Sequence, residues 1–224
     1  MDSGYLGLES VRHGNSAACI EDIFRIHFRD AKVVADVTWG KGRFWEWPNQ
    51  AIHGRIDPPV VISLDADPRG GAKVVADYRF VPLKDKSVDV LVFDPPFIFT
   101  PGIKRIIGIK RFFLGSEEAV RYNEDDRVQR PKNPAELMGH TMSVMREARR
   151  VARQGVILKG QDLIVDKPYW WSFATMANIQ AWWGMMPEDM LIQVSPEARL
   201  NDPRWKHQYH FRRRHAIYLI YKFR

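Results

Sequence analysis

Residues 90–97 read VLVFDPPF, an apolar run that meets an acid, two prolines and an aromatic ring. A continuous apolar run bounded by prolines predicts a strand buried on both faces, the signature of a parallel sheet. Open α/β sheets bind ligands outside the carboxyl ends of their strands, which puts Asp94, Pro95, Pro96 and Phe97 where chemistry is done. The pattern recurs upstream. AKVVADVTWGKG predicts a strand over 32–37 that breaks into a glycine-containing turn. VVISLDAD predicts a strand over 60–67, and AKVVADYRFVP a short one over 72–82. Apolar runs that each end in Asp, separated by helix-length or loop segments, predict a parallel sheet with a lined upper edge.

The rest of the chain supplies the layers. Asn15 or Ser16 can cap a helix to about His27, with Ile20, Ile23, Phe24 and Ile26 as its apolar side. Residues 135–153 return to helical spacing, with Met138, Met142, Met145 and Ala152 on one side. GVILKGQD (155–162), MLIQVSP (190–196) and HAIYLIYKF (215–223) predict a fifth, sixth and seventh strand, and WWSFATMANIQAWW (170–183) another helix. Residues 99–134 show little periodicity, and a loop of that length inside a compact domain is functional or partly disordered.

Composition narrows the class. The 224 residues fit one α/β domain, 1–224, with an inserted target-binding loop at about 98–134. Hydrophobic residues make up 45% of the chain, which excludes disorder as its overall state. No apolar run is long enough to cross a bilayer, and MDSGYLGLES lacks the basic and apolar regions of a signal peptide, so a soluble cytoplasmic protein is expected. Cys19 is the single cysteine, which excludes an internal disulfide and a zinc cluster of Cys ligands, and no metal is expected. The net charge of +7 favours an anionic partner. The basic residues cluster: Lys104, Arg105, Lys110 and Arg111; Arg146, Arg149, Arg150 and Arg153; and Arg212, Arg213 and Arg214.

The glycine turn lets a ligand approach backbone atoms that a side chain would block. Asp65, ending the second strand, can accept hydrogen bonds from both hydroxyls of a ribose. Asp77, ending the third, can bind the exocyclic amine of an adenine ring. A lone acid after a strand is usually a turn former, but a succession of them leading to Asp-Pro-Pro-Phe is hard to assign to turns.

This order of motifs resembles the Rossmann-like S-adenosylmethionine-dependent methyltransferases that modify exocyclic amines, and is most similar to the DNA amino-methyltransferases of the adenine-N6 type. Asp36, Val37, Thr38, Trp39, Gly40, Lys41 and Gly42 align with the family's cofactor motif D-x-F-x-G-x-G, with Thr38 in place of Phe. Asp94, Pro95, Pro96 and Phe97 match its catalytic motif, (Asp, Asn or Ser)-Pro-Pro-(Tyr, Phe or Trp), at every position. The resemblance spans about Asn15 to Arg224. It implies a class I methyltransferase fold, α/β, with a mostly parallel seven-stranded sheet and helices on both faces. It also implies S-adenosyl-L-methionine as cofactor, held by Asp36, Thr38, Trp39, Gly40, Gly42, Asp65, Asp77 and Tyr78, and methylation of adenine N6 in DNA. RNA adenine N6, DNA cytosine N4, and an inactive nucleic-acid-binding protein of the same fold are the alternatives.

The chemistry is consistent with that resemblance. An exocyclic base amine is a poor nucleophile because its lone pair is delocalised into the ring. The Asp94 carboxylate and the Pro95 carbonyl can both accept its protons and aim the lone pair, which is catalysis by positioning and electrostatics. The prolines stiffen the turn, and Phe97 offers a face for an extruded base. Lys159 and Asp162 either line the site or form a solvated strand end. His215 is assigned no role, and the Trp pairs at 170–171 and 182–183 are read as core. No target-recognition domain of ordinary size follows the motifs. Specificity is therefore expected from 99–134 and 195–214, with Lys104, Arg105, Lys110, Arg111, Arg212, Arg213 and Arg214 on the nucleic acid, or from a homodimer mate or partner subunit.

Overall fold

The computed structural model describes residues 7–47, 57–95, 131, 134–164, 169–170, 181, 184–195 and 214–223. In chain order these form β1 (Val11–His13), α1 (Ser16–His27), β2 (Val33–Asp36), a 3-10 turn (Arg43–Trp45), β3 (Val60–Asp65), a second 3-10 turn (Pro68–Gly70), β4 (Val74–Val75) and β5 (Val88–Phe93). There follow α2 (Pro134–Val151), β6 (Ala152–Gly160), β7 (Leu163–Ile164), β8 (Tyr169–Trp170), β9 (Asp189–Val194) and β10 (His215–Lys222).

One sheet of eight strands runs in the order β1-β9-β10-β6-β5-β2-β3-β4. The pairs β2–β3, β2–β5, β5–β6, β3–β4 and β1–β9 are parallel, while β10 is antiparallel to both β6 and β9. The expected direction therefore holds and the expected seven strands become eight. The added edge strand, β1, is a three-residue VRH segment, exposed throughout and without any apolar pattern to announce it. The third strand, expected over 72–82, shrinks to Val74–Val75, because the chain turns at Asp77, whose carbonyl accepts from Phe80 N at 2.9 Å. Trp170 belongs not to a helix but to β8, which pairs with β7 as a separate hairpin. Residues 98–130, which carry the expected loop, lie outside the described residues.

Alternation along β5 divides the core in two. Val90 and Val92 pack with Ile20, Ile23 and Phe24 of α1 on one face. Leu91 and Phe93 pack with Val144, Met145 and Ala148 of α2 on the other. Every residue of β5 is buried, as a strand covered on both faces requires. Asn15 caps α1, its Oδ1 accepting from Ala18 N at 2.9 Å. At the lower end, Asp89 accepts from the Lys32 and Val33 amides at 2.8 and 2.9 Å and pairs with Arg153 at 2.8 Å. Arg150 likewise donates to the Val81 and Leu83 carbonyls and pairs with Glu147 and Asp85. Two arginines read from the sequence as facing an anionic partner are thus ties within the fold. No helix among the described residues is long and apolar enough to cross a membrane.

Candidate functional site

The chain order reverses between β2 and β5: from β2 it proceeds through β3 to β4 on one side, then returns with β5 on the other. The crevice above such a switch point is where open α/β sheets bind ligands. The two turns that rise there are physically joined. Thr38, just past β2, accepts from the Asp94 amide through Oγ1 at 2.7 Å, across 56 residues of sequence. Thr38, which stands where the resembled cofactor motif has Phe, is therefore the residue that joins the Asp94 turn to the glycine turn, a task a phenyl ring lacks the oxygen to perform.

Asp36 shapes the first turn from below. It is 1% exposed, and its carboxylate accepts from Thr38 N at 3.1 Å and from Trp45 Nε1 at 2.8 Å. Burial pushes this carboxyl up to about 7, against those two hydrogen bonds, and the neighbouring Asp94 and Asp65 carboxylates add to the rise. An unfolded Asp titrates at about 3.9. Neutral Asp36 therefore contributes stability that is complete below about pH 4 and is lost as pH rises through about 7. Between about pH 5 and about pH 8, denaturant unfolding should show the wild type losing on the order of 2 kcal/mol more than Asp36→Asn. Parallel pH profiles for the two proteins would refute this.

The glycines do what the turn requires. Gly40 and Gly42 have φ of 55° and 69°, the left-handed region that an L side chain resists. A Cβ on Gly42 would meet the Trp39 ring at 2.4 Å, whereas one on Gly40 would meet only the Thr38 carbonyl, at 4.0 Å. Among the described residues, the side of Gly40 where a Cβ would stand is thus open. Asp65 holds the turn from β3, its Oδ2 accepting from Gly40 N at 2.8 Å and its Oδ1 from Asp67 N at 2.9 Å.

Asp77 and Tyr78 lie apart from these contacts. Asp77 is clamped by Arg79, whose backbone N and Nε both donate to Oδ1 at 2.9 Å. Burial would raise the Asp77 carboxyl, but the Arg79 hydrogen bonds outweigh it and hold the group below its ordinary range. Tyr78 is buried against Phe93, and its hydroxyl lies 2.8 Å from His140 Nδ1 on α2.

At the second turn, Asp94 Oδ2 accepts from Lys159 Nζ at 3.0 Å. Its Oδ1 is buried and has no hydrogen-bond partner among the described residues. Buried carboxylate oxygens are rarely left so. Pro95 is described and buried; Pro96 and Phe97 lie outside the described residues, as do Lys104, Arg105, Lys110, Arg111, Arg212 and Arg213. Arg214 is described, and its guanidinium donates to the Ser195 carbonyl at 2.9 and 3.1 Å.

Lys159 is the site residue that sequence reasoning left undecided, and no solvated strand end surrounds it. It is 5% exposed, and its Nζ also donates to Ser16 Oγ at 3.3 Å and lies 4.9 Å from the centre of the Phe44 ring. The available signal was a lysine directly after the apolar run Val156, Ile157 and Leu158. Its register supplies the rest: Phe93 pairs with Leu158, so the next residues along, Asp94 and Lys159, face each other. Among the described residues, no group of His, Cys, Asp and Glu is placed to hold a metal ion.

No known protein family matches the sequence, and no curated protein does. Among solved structures, the chain is similar to a SAM dependent methyltransferase from Archaeoglobus fulgidus, with 14% identity over 94% of this chain and 95% of that one and a TM-score of 0.44. A SAM dependent methyltransferase from Aquifex aeolicus gives 11% identity, coverage of 92% and 90%, and a TM-score of 0.43. A 16S rRNA (adenine(1408)-N(1))-methyltransferase from Catenulisporales acidiphilia gives 12% identity, coverage of 93% of each chain, and a TM-score of 0.36. Likeness at this level assigns no residue a role, so roles here rest on the contacts of Asp94, Thr38, Asp65 and Lys159.

Proposed function

We propose that this chain transfers a methyl group from S-adenosyl-L-methionine to the N6 amine of adenine in DNA, as a single domain whose target-binding segment is 98–134. The observation that carries the reading is the buried Oδ1 of Asp94 at the switch point, without a partner among the described residues and beside an Oδ2 already held by a cation. The acceptor oxygen lacks only a donor, and an N–H of a base amine supplies one. Because Lys159 offsets the charge of Asp94, the pair favours a neutral amine over an ammonium ion, as a nucleobase presents.

The glycine turn fits the cofactor: the open side of Gly40 leaves its backbone approachable, and Asp65 sets a carboxylate, an acceptor for hydroxyl donors, at the adjoining strand end. When bound, S-adenosylmethionine supplies an electrophilic methyl group. The chain's own contribution is to bind the amine at Asp94 Oδ1, with the backbone of Asp94 tied to Thr38 and its other oxygen to Lys159. Holding the amine in reacting geometry supplies much of the rate. DNA as the anionic partner agrees with the net charge of +7.

The test expresses the chain in a host lacking DNA methylation and sequences host DNA and RNA for modified bases, with cofactor affinity measured by calorimetry. N6-methyladenine in DNA together with cofactor binding is the expected result. N4-methylcytosine, or modified adenine in RNA alone, would move the acceptor, and absence of cofactor binding would sink the reading.

A further inference from the structure

We infer that Lys159 is a positioning residue that decides which oxygen of Asp94 receives the acceptor amine. The inference rests on the reading of Asp94 just given. Lys159 is enclosed: its Nζ lies 4.9 Å from the Phe44 ring centre and 5.8 Å from that of Tyr218. Aromatic faces of this kind hold a cation in place. A chain of hydrogen bonds continues behind it. Ser16, at the start of α1, accepts from Lys159 and donates to Gln193 Oε1 at 3.2 Å, where Tyr218 also donates at 2.9 Å. The Gln193 amide is itself fixed, donating to the Gly14 carbonyl at 2.9 Å.

This assembly joins α1, β6, β9 and β10, and it reaches the catalytic turn through the Lys159 bond to Asp94 Oδ2 at 3.0 Å. Without it a carboxylate can turn about its last bond and present either oxygen, or both, to an incoming donor. With it, one oxygen is spent on the cation and the other is left at a fixed place for the donor. A single acceptor at a fixed point engages one N–H of an amine and sets the direction of the nitrogen lone pair, which is a requirement of the reaction rather than of folding.

The test uses the intact chain, labelled S-adenosylmethionine and unmodified plasmid DNA, with Lys159→Met, Asp94→Asn and the double variant. Lys159→Met is expected to lower kcat about 30-fold or more while the KM for DNA stays within about threefold. In the Asp94→Asn background the same change is expected to cost no further rate, because Lys159 acts only through that carboxylate. Equal kcat in Lys159→Met and wild type overturns the proposal, and so does the same loss in both backgrounds, which marks a merely structural role. A second arm needs no acceptor. In chain labelled with 15N-lysine, the Nζ signal absent from Lys159→Met should move in Asp94→Asn. A signal that stays put overturns the pairing. A signal that moves while wild type transfers nothing to DNA supports the pairing and places the failure in the choice of acceptor.

Discussion

Asp94→Ala is expected to reduce single-turnover methyl transfer by about 100-fold or more, with cofactor affinity within about threefold of wild type. The split follows from where the contacts fall. Asp94 meets the glycine turn through its backbone amide, which donates to Thr38 Oγ1 and survives the substitution. Its side chain, among the described residues, holds Lys159 through Oδ2 and leaves Oδ1 without a partner, the oxygen proposed to receive the acceptor. Alanine also strands a buried ammonium, and breaking a buried pair costs roughly 3–5 kcal/mol, so stability must be measured beside activity. Asp94→Asn separates the two effects. Its carbonyl oxygen can keep the bond from Lys159, and its NH2 then occupies the position of Oδ1, so a donor faces the donor of the acceptor amine. The asparagine variant should therefore fold like wild type and transfer nearly as poorly as alanine. Transfer by Asp94→Asn within about twofold of wild type would mean the amine is held by another group.

The parts of the fold that were legible are those whose physics is local. The cap at Asn15 and the apolar side of α1 place that helix at Ser16–His27, since both signals repeat within a turn or two of chain. Even there Ile26, read as part of the apolar side, is exposed. β5 is legible because a strand buried on both faces has no alternative composition. β1 is not, since three exposed residues carry no pattern and owe their pairing to β9. The site divides the same way. Asp94 and the glycines are announced by their own turns, whereas Thr38 reads as a mismatch until its partner, Asp94, is brought across the sheet. Arg150 and Arg153 look like surface charge in sequence, because the Val81 carbonyl and the Asp89 carboxylate they hold come from segments more than sixty residues away.

Gly70 packs against the glycine turn with no motif to announce it, and on the proposed cofactor reading Gly70→Ala should weaken cofactor binding by about 10-fold or more. A Cβ there would stand 2.1 Å from the Gly40 carbonyl oxygen and 3.1 Å from its carbon, both backbone atoms that cannot swing aside as a side chain would. The turn carrying Gly70 is itself pinned, because Asp67 caps it through the Arg69 amide at 3.0 Å and Asp65 ties Asp67 and Gly40 to one carboxylate. The added methyl must therefore displace Gly40, and overpacking of this kind costs roughly 1–3 kcal/mol. Gly71→Ala is the control. Gly71 has φ of 80°, so alanine is strained there, but a Cβ would meet nothing within 4 Å among the described residues. Both variants should lose comparable stability in denaturant unfolding, while only Gly70→Ala should lose affinity for S-adenosylmethionine in calorimetry. Undiminished affinity in Gly70→Ala would show that the backbone of Gly40 does not meet the cofactor. Equal losses of affinity in both variants would show that the effect is general loosening and not the displaced carbonyl.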